Sequence, residues 1–425
     1  MGRVERRAPR GIRNRPARVP ECAVRRVHDD DAQNPRERTA RLAQLLASPT
    51  VWRLMSRITR PLLCLLALGL VIPLASSAAP TPAARSAKTT LHPVIGIGDD
   101  KADMFSDPRF RALGIKAVRY DMSWDALSVT YQRQEVTTWM DAAKRDGLSV
   151  LVTIDHSDRV IHKKVKVKGK TKTEAFSQVR VLPTAAQYIS AFKAFRKKFP
   201  WVKEFATWDE TNYYGEATYD KESLVASYYR GLRSACSSCT ILAAEFLDVA
   251  APHDAVSMAS WASEFVKALG FQPGYWGLND YEDANNLTTT NTRSLLAAVR
   301  GNIWLAETGG IVSRAHVPHA GFPQNASHAA KADTFVLDTI GSLSPRIQRV
   351  YLYEWDAKTA HDSWDTALIS YNGLPRPGYD VLANTLDAWG IKPNCNISRV
   401  PPACPKVKAG PTGTTGPTTT GGATS

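Results

Sequence analysis

Between about His92 and Ile391, short apolar runs alternate with segments whose apolar residues recur at three- and four-residue spacing. The short runs predict strands over Pro93–Gly98, Ala117–Tyr120, Ser149–Ile154, Glu204–Trp208, Thr240–Ala244, Gly274–Leu278, Ile303–Ala306 and Arg349–Tyr353. The helical spacing falls on Val136–Asp146, Ala185–Lys198, Leu224–Ser234, Ala259–Leu269, Thr292–Arg300 and Ala329–Leu343. One segment breaks this rhythm. From Arg159 to Pro183, Val165, Val167, Val179 and Val181 alternate with polar residues around Lys168-Gly169-Lys170, the pattern of a β-hairpin inserted after the third strand.

Eight strands alternating with helices over about 300 residues is the length of an α/β chain folded as a single (β/α)8 TIM barrel. A doubly wound open sheet is the competing architecture. It is disfavoured because Gly96-Ile97-Gly98-Asp99, after the first strand, lacks the third glycine and helix start of a phosphate loop. At 425 residues and 44% hydrophobic content the chain is long enough for such a core.

The ends read differently. Residues 1–54 are Arg-rich without apolar periodicity, either a disordered extension or an over-extended start before Met55. Residues 55–79 carry Arg57 and Arg60, an apolar run from Pro61 to Leu74 and the small residues Ser76-Ser77-Ala78-Ala79, the layout of a secretory signal. That run is shorter than the about 20 residues a spanning helix needs, so a retained anchor is the weaker reading and membrane contact is expected only in transit. The barrel is expected over 88–404, and residues 405–425 form a Gly/Pro/Thr-rich tail with no core-forming residues.

Charge and cysteine usage refine this picture. The net charge of +14 is concentrated at the start, where residues 1–60 hold fifteen Arg against six acidic residues. Six lysines between Lys163 and Lys172 form a second local cluster. No basic face runs through the barrel, so a nucleic-acid partner is not expected. Lysines on the hairpin suit either an acidic sugar or wall surface, or simply a protected solvated edge. Cys22 and Cys64 precede the barrel, which leaves Cys236, Cys239, Cys395 and Cys404 as two local pairs. Disulfides in an exported protein fit them better than a redox or half-zinc motif, because no second pair of ligands stands nearby.

Two strings carry candidate chemistry. Ala206-Thr207-Trp208-Asp209-Glu210-Thr211-Asn212 and Ile303-Trp304-Leu305-Ala306-Glu307-Thr308-Gly309-Gly310 each end an apolar strand on a glutamate and then break into loop. Carboxylates at the C-terminal mouths of two barrel strands are what cleavage of a glycosidic bond requires: a proton for the leaving oxygen and a carboxylate for an oxocarbenium-like carbon. Glu210 is the candidate acid/base and Glu307 the candidate nucleophile. Either glutamate alone reads as a solvated loop residue, and the two together make the case.

These strings resemble the retaining β/α-barrel glycoside hydrolases, the superfamily that includes families 5, 39 and 42. Trp208-Asp209-Glu210-Thr211-Asn212 is similar to its Trp-Asn-Glu-Pro-Asn pattern on strand four, departing at Asp209 and Thr211, and Ile303–Gly310 is similar to its nucleophile strand. The resemblance spans about residues 92–392. It implies an enzyme that acts on a β-linked poly- or oligosaccharide without cofactor or metal; the signal-like segment and the tail add the expectation of a secreted, cell-wall-associated protein, taken as a monomer. It also implies that Arg119 hydrogen-bonds the nucleophile, that Tyr281 orients it, and that Trp355 floors a sugar subsite. Trp124 is a second aromatic platform suited to a sugar face. Asp209, where the pattern has Asn, is expected to face substrate but only to accept hydrogen bonds and to raise the pKa of a neighbouring glutamate.

Two other readings fit the same residues. A glycan-binding barrel with a disabled site is the alternative that Asp209 supports, and a tethered wall scaffold is a third. Glu245 borders the cleft without an assigned role, and Glu354 is expected to point away from the axis if Trp355 points in. A serine hydrolase is unsupported because no Gly-x-Ser-x-Gly elbow occurs. Among the histidines, His316 and His319 lie close together but lack a third ligand.

Overall fold

The computed structural model describes residues 92–391, apart from 168–169, 250–251 and 316–320. The expected signal segment, the Arg-rich start, the tail and the Cys395–Cys404 pair lie outside the described residues.

Nine parallel strand segments form a nearly closed barrel: β1 (Val94–Gly98), β2 (Ala117–Ser123), β3 (Ser149–Asp155), β6 (Glu204–Ala206), β7 (Thr240–Leu242), β8 (Glu245–Leu247), β9 (Tyr275–Asp280), β10 (Asn302–Thr308) and β12 (Ile347–Tyr353). They run in the order β7-β6-β3-β2-β1-β12-β10-β9-β8. The expected fifth strand, Thr240–Ala244, in fact runs on to Leu247 as two pieces: β7 pairs with β6, and β8 pairs with β9. The join closes the ring, since Ala243 N–H donates to Tyr275 C=O (3.0 Å) and Gly277 N–H to Ala244 C=O (2.8 Å). Eight barrel strands therefore account for the nine segments, and the fold is an α/β TIM barrel.

The other strands decorate the rim. The lysine-rich hairpin forms, β4 (Val160–Val167) against β5 (Lys170–Ser177), but its second strand ends before Val179 and Val181. A short antiparallel pair, β11 (Ser313–Arg314) with β13 (Trp364–Asp365), was not visible in the pattern. Helices lie between the strands, among them α1 (Pro108–Leu113), α2 (Thr130–Arg145), α3 (Ala185–Lys198), α4 (Glu222–Ala235) and α5 (Met258–Leu269). They continue with α6 (Glu282–Asn286), α7 (Thr290–Ala298), α8 (Ala326–Phe335) and α9 (Pro377–Ala388). Cys236, just past α4, is disulfide-bonded to Cys239. Among the described residues no helix is long and apolar enough to cross a membrane.

Period-two alternation along each strand builds two cores. Outward residues such as Val118, Val152, Phe205, Ile303 and Leu305 pack against the helices. Inward residues Ala117, Leu151, Ala206, Leu242, Trp304, Ala306 and Tyr351 fill the barrel itself, small side chains making room for large ones. Below that layer Arg349 lies 4.2 Å over the Trp304 ring and pairs with Glu204, which also accepts from Ser149 Oγ at 2.8 Å. The barrel's N-terminal end is thus plugged, and chemistry is left to the opposite mouth.

Gly96 is part of this packing, because a Cβ there would stand 2.4 Å from the Tyr351 ring. Gly96→Ala is expected to lower stability by about 1–3 kcal/mol through overpacking, read as a lower urea midpoint with an unchanged slope.

Candidate active site

On β2, Ala117 faces the barrel interior while Val118 and Tyr120 face the helices, so Arg119 projects inward one layer above the apolar filling. It is fully buried and meets three carboxylates. Nη1 donates to Glu307 Oε2 at 2.6 Å, and Nη2 to Asp209 Oδ1 and Glu245 Oε2, both at 2.9 Å. Asp121 stands 3.9 Å away. The other oxygen of Glu307 accepts from Tyr281 OH at 2.7 Å.

Glu307 reaches this position through a strand irregularity. Trp304 and Ala306 point into the barrel, so simple alternation would turn Glu307 outward. The register of β10 shifts against β9 between Leu305 and Glu307, and against β12 between Leu305 and Thr308. A bulge of this kind re-aims a side chain.

Tyr281 is held by its own backbone. Asp248 accepts from the N–H groups of Tyr281 and Glu282 at 2.9 Å and of Asp283 at 2.8 Å. Asp283 in turn accepts from Thr292 N–H at 2.8 Å and Thr288 Oγ1 at 2.7 Å. Asp248 therefore spends its oxygens on the turn that starts α6, while Asp283 ties that turn to Thr288 and to Thr292 in α7.

Glu210 lies just past β6 with φ 39°, a left-handed backbone at a residue with a Cβ. Burial pushes its pKa well up, and the charges of Asp209 and Glu307 add to that. Glu307 is pushed up by burial to about 7, with Arg119 opposing the rise and the Tyr281 hydrogen bond also lowering it. Asp209 accepts from Asn279 Nδ2 at 3.0 Å as well as from Arg119. Glu245, wholly buried, accepts from Thr153 Oγ1 at 2.9 Å, and burial raises its pKa well above the carboxylate range. Gly277 makes room for it, since a Cβ there would lie 2.4 Å from Glu245 Cγ.

Glu210, Glu307, Asp209 and Tyr281 share one cleft of about 650 Å³ at the barrel mouth. The other expected sugar contacts are placed elsewhere. Trp355 is buried in the outer core, edge-on to Phe110 at 5.5 Å with Nε1 directed at Asp107 (3.3 Å), and it does not line this cleft. The eighth strand ends at Tyr353, two residues before Trp355, and it is Tyr353 that lines the cleft. Trp124 is half-buried against the outer core and is likewise not among the cleft residues. Glu354 turns to Lys101 at 2.7 Å.

Sequence reasoning missed other cleft residues. Tyr353 was legible, because it follows inward-facing Tyr351 by two positions. Asp155 follows Leu151 and Thr153 in the same way. Trp364, edge-on to Tyr281 at 4.8 Å, lies on a two-residue strand with no periodic signal. His156 sits within 2.5 Å of Asp155, 3.4 Å of Asp158 and 3.6 Å of Glu216. Burial works against its charge, but hydrogen bonds to these carboxylates hold it protonated far above the histidine range. A protonated imidazole offers no lone pair to a metal.

No family model and no curated protein matches the sequence. Solved structures similar to it include a family 39 glycoside hydrolase from Bacteroides cellulosilyticus WH2, with 13% identity over 72% of this chain and 65% of that one and a TM-score of 0.43. The chain spans less than two thirds of that enzyme's length. A GH5_18 protein from Streptomyces cattleya, in complex with GlcNAc, is 14% identical over 71% of this chain and 81% of that one, with a TM-score of 0.46. An endo-β-1,4-glucanase from Xanthomonas axonopodis pv. citri is 13% identical over 69% and 98% of the two chains, with a TM-score of 0.48.

Removing the guanidinium leaves Glu307, Asp209 and Glu245 uncompensated. Arg119→Met is expected to cost about 3–5 kcal/mol at pH 8. Without their cation the carboxylates have raised native-state pKa values. The variant then binds more protons folded than unfolded, and the deficit shrinks as pH falls toward 5. Urea titrations at the two pH values test this, and an equal deficit at both would contradict it.

Proposed function

We propose that this protein is an exported glycoside hydrolase that cleaves a β-linked poly- or oligosaccharide with retention, Glu307 acting as nucleophile and Glu210 as acid/base. The observation that carries this reading is the contrast between two carboxyl groups on one cleft. Glu307 is fed by Arg119 at 2.6 Å and Tyr281 at 2.7 Å, which favour its ionised form. Glu210 meets burial and neighbouring negative charge, which favour its protonated form. Environments that separate two carboxyl groups in this way assign base and acid. Export is supported by the signal-like segment at 55–79 and by the Cys236–Cys239 bridge.

The chemistry follows from those protonation states. Glu307 Oε attacks the anomeric carbon as the glycosidic C–O bond breaks, and the leaving oxygen takes the Glu210 proton. Glu210, now a carboxylate, takes a proton from water. That water's oxygen attacks the anomeric carbon and releases Glu307. Arg119 and Tyr281 hold the nucleophile through both steps. Tyr353 and Trp364 line the cleft as aromatic wall residues against which the apolar C–H groups of a sugar can pack.

Glu307→Gln is expected to lower sugar release roughly a thousandfold or more. Glu210→Gln should lose cleavage of alkyl-linked sugars but keep much of its activity on aryl glycosides, whose leaving groups need no proton. Retained binding with no turnover in the wild type would instead favour the glycan-binding barrel.

The acid limb of kcat/KM is expected near pH 7, where Glu307 loses its proton. Tyr281→Phe removes a donor to the ionised form, so that limb should move to higher pH. A limb that stays in place would detach Tyr281 from the nucleophile.

A further inference from the structure

Among the described residues the cleft is strongly acidic: eight carboxyl side chains line it against one histidine and one arginine. Both cations are already engaged, His156 by Asp155 and Glu216, and Arg314 by Glu282 at 3.7 Å and the Trp364 ring at 5.3 Å. No described residue of the lysine-rich hairpin lines it, so the described lysines of the cluster that suggested acidic sugars do not face the reaction site. A substrate carboxylate would enter against this field.

Beside Glu210 and Glu307, one oxygen from each of Asp121, Asp155 and Asp209 lies within 4.8 Å of the others. Asp121 lies near the end of β2, Asp155 ends β3 and Asp209 follows β6, so three different strands converge them. Asp155 is 4% exposed, and its Oδ1 is buried without a hydrogen-bond partner although the residue faces the cleft. An orphaned buried acceptor is costly unless a ligand supplies the donor. A sugar hydroxyl supplies one. A protonated amine supplies three donors and a positive charge. Three hydrogen bonds of about 2.8 Å from one tetrahedral nitrogen spread their acceptors to about 4.6 Å, which fits the spacing found here.

We propose that the cleft takes an amine-bearing sugar, with the protonated amine seated among Asp121, Asp155 and Asp209. The substrate class is a glycan of hexosamine units with free amino groups. Its cleavage rests on the hydrolase reading, but its binding does not. The proposal also gives Asp209 a purpose: a carboxylate beside Glu210 accepts from an ammonium group where an amide would compete as a donor.

The test uses the full chain as Glu307→Gln, to suppress turnover, and titrates it with β-1,4-linked pentamers of glucosamine, N-acetylglucosamine and glucose. The three share a backbone and differ only at C2. At least tenfold tighter binding of the glucosamine pentamer is expected, weakening as salt rises from 50 to 500 mM. Asp155→Asn should abolish the preference, and Asp121→Asn serves as a second variant if the first does not fold. Equal binding of the three pentamers, no binding of the glucosamine pentamer, or calcium or manganese binding that the amine cannot displace each overturns the proposal. Sugar release by the wild-type chain separates the two readings. Selective binding without cleavage sinks the hydrolase and keeps the amine site. Cleavage of the glucose pentamer with equal binding does the reverse.

Discussion

One guanidinium organises the mouth of this barrel. Arg119 is removed from water and surrounded by Glu307, Asp209, Glu245 and, further off, Asp121. A buried cation is tolerable only with good partners, and buried carboxylates only with a cation or a proton. One positive charge does not neutralise four negative ones, so protons must make up the difference. Burial assigns one to Glu245, whose surroundings hold its pKa well above the usual range. Arg119 is thus both the strut joining strands two, four, five and seven and the electrostatic setting in which Glu307 ionises before Glu210.

The scaffold serves that strut. Small inward residues, Ala117, Ala206 and Ala306, let Trp304 and Tyr351 fill the barrel beneath it. Gly277 leaves space for Glu245, and the split between β7 and β8 turns Glu245 into the layer where Arg119 waits. Asp248 fixes the turn that presents Tyr281. Each of these is a packing or backbone requirement satisfied far from any substrate, yet together they set two oxygens of Glu307 against two donors.

Much of this was legible along the chain. The apolar pattern located the strands within a few residues and put Glu210 and Glu307 near strand ends, and the family resemblance singled out Arg119. What stayed hidden depends on departures from regular geometry. Counting by twos from Trp304 misplaces Glu307, because the bulge that re-aims it leaves no compositional mark. Trp355 read as a sugar platform because it is aromatic and near a strand end. The strand stops at Tyr353, and the chain turns Trp355 into the packing between barrel and helices. Glu245 had no assigned role because its partners, Thr153 and Arg119, come from strands about a hundred residues away. Asp209 read as a defect in isolation and acquires donors, Arg119 and Asn279, only in three dimensions.

The left-handed backbone of Glu210 has an evolutionary consequence. A residue with a Cβ held there carries strain of order 1–2 kcal/mol, which glycine would not carry and asparagine would carry less of. The position is therefore one where the side chain opposes the fold. In a lineage released from the demand on this carboxyl group, substitution by glycine or asparagine runs downhill in folding free energy. Persistence of glutamate at position 210 across divergent descendants would thus record selection on what the side chain does, because the fold gains nothing by keeping it.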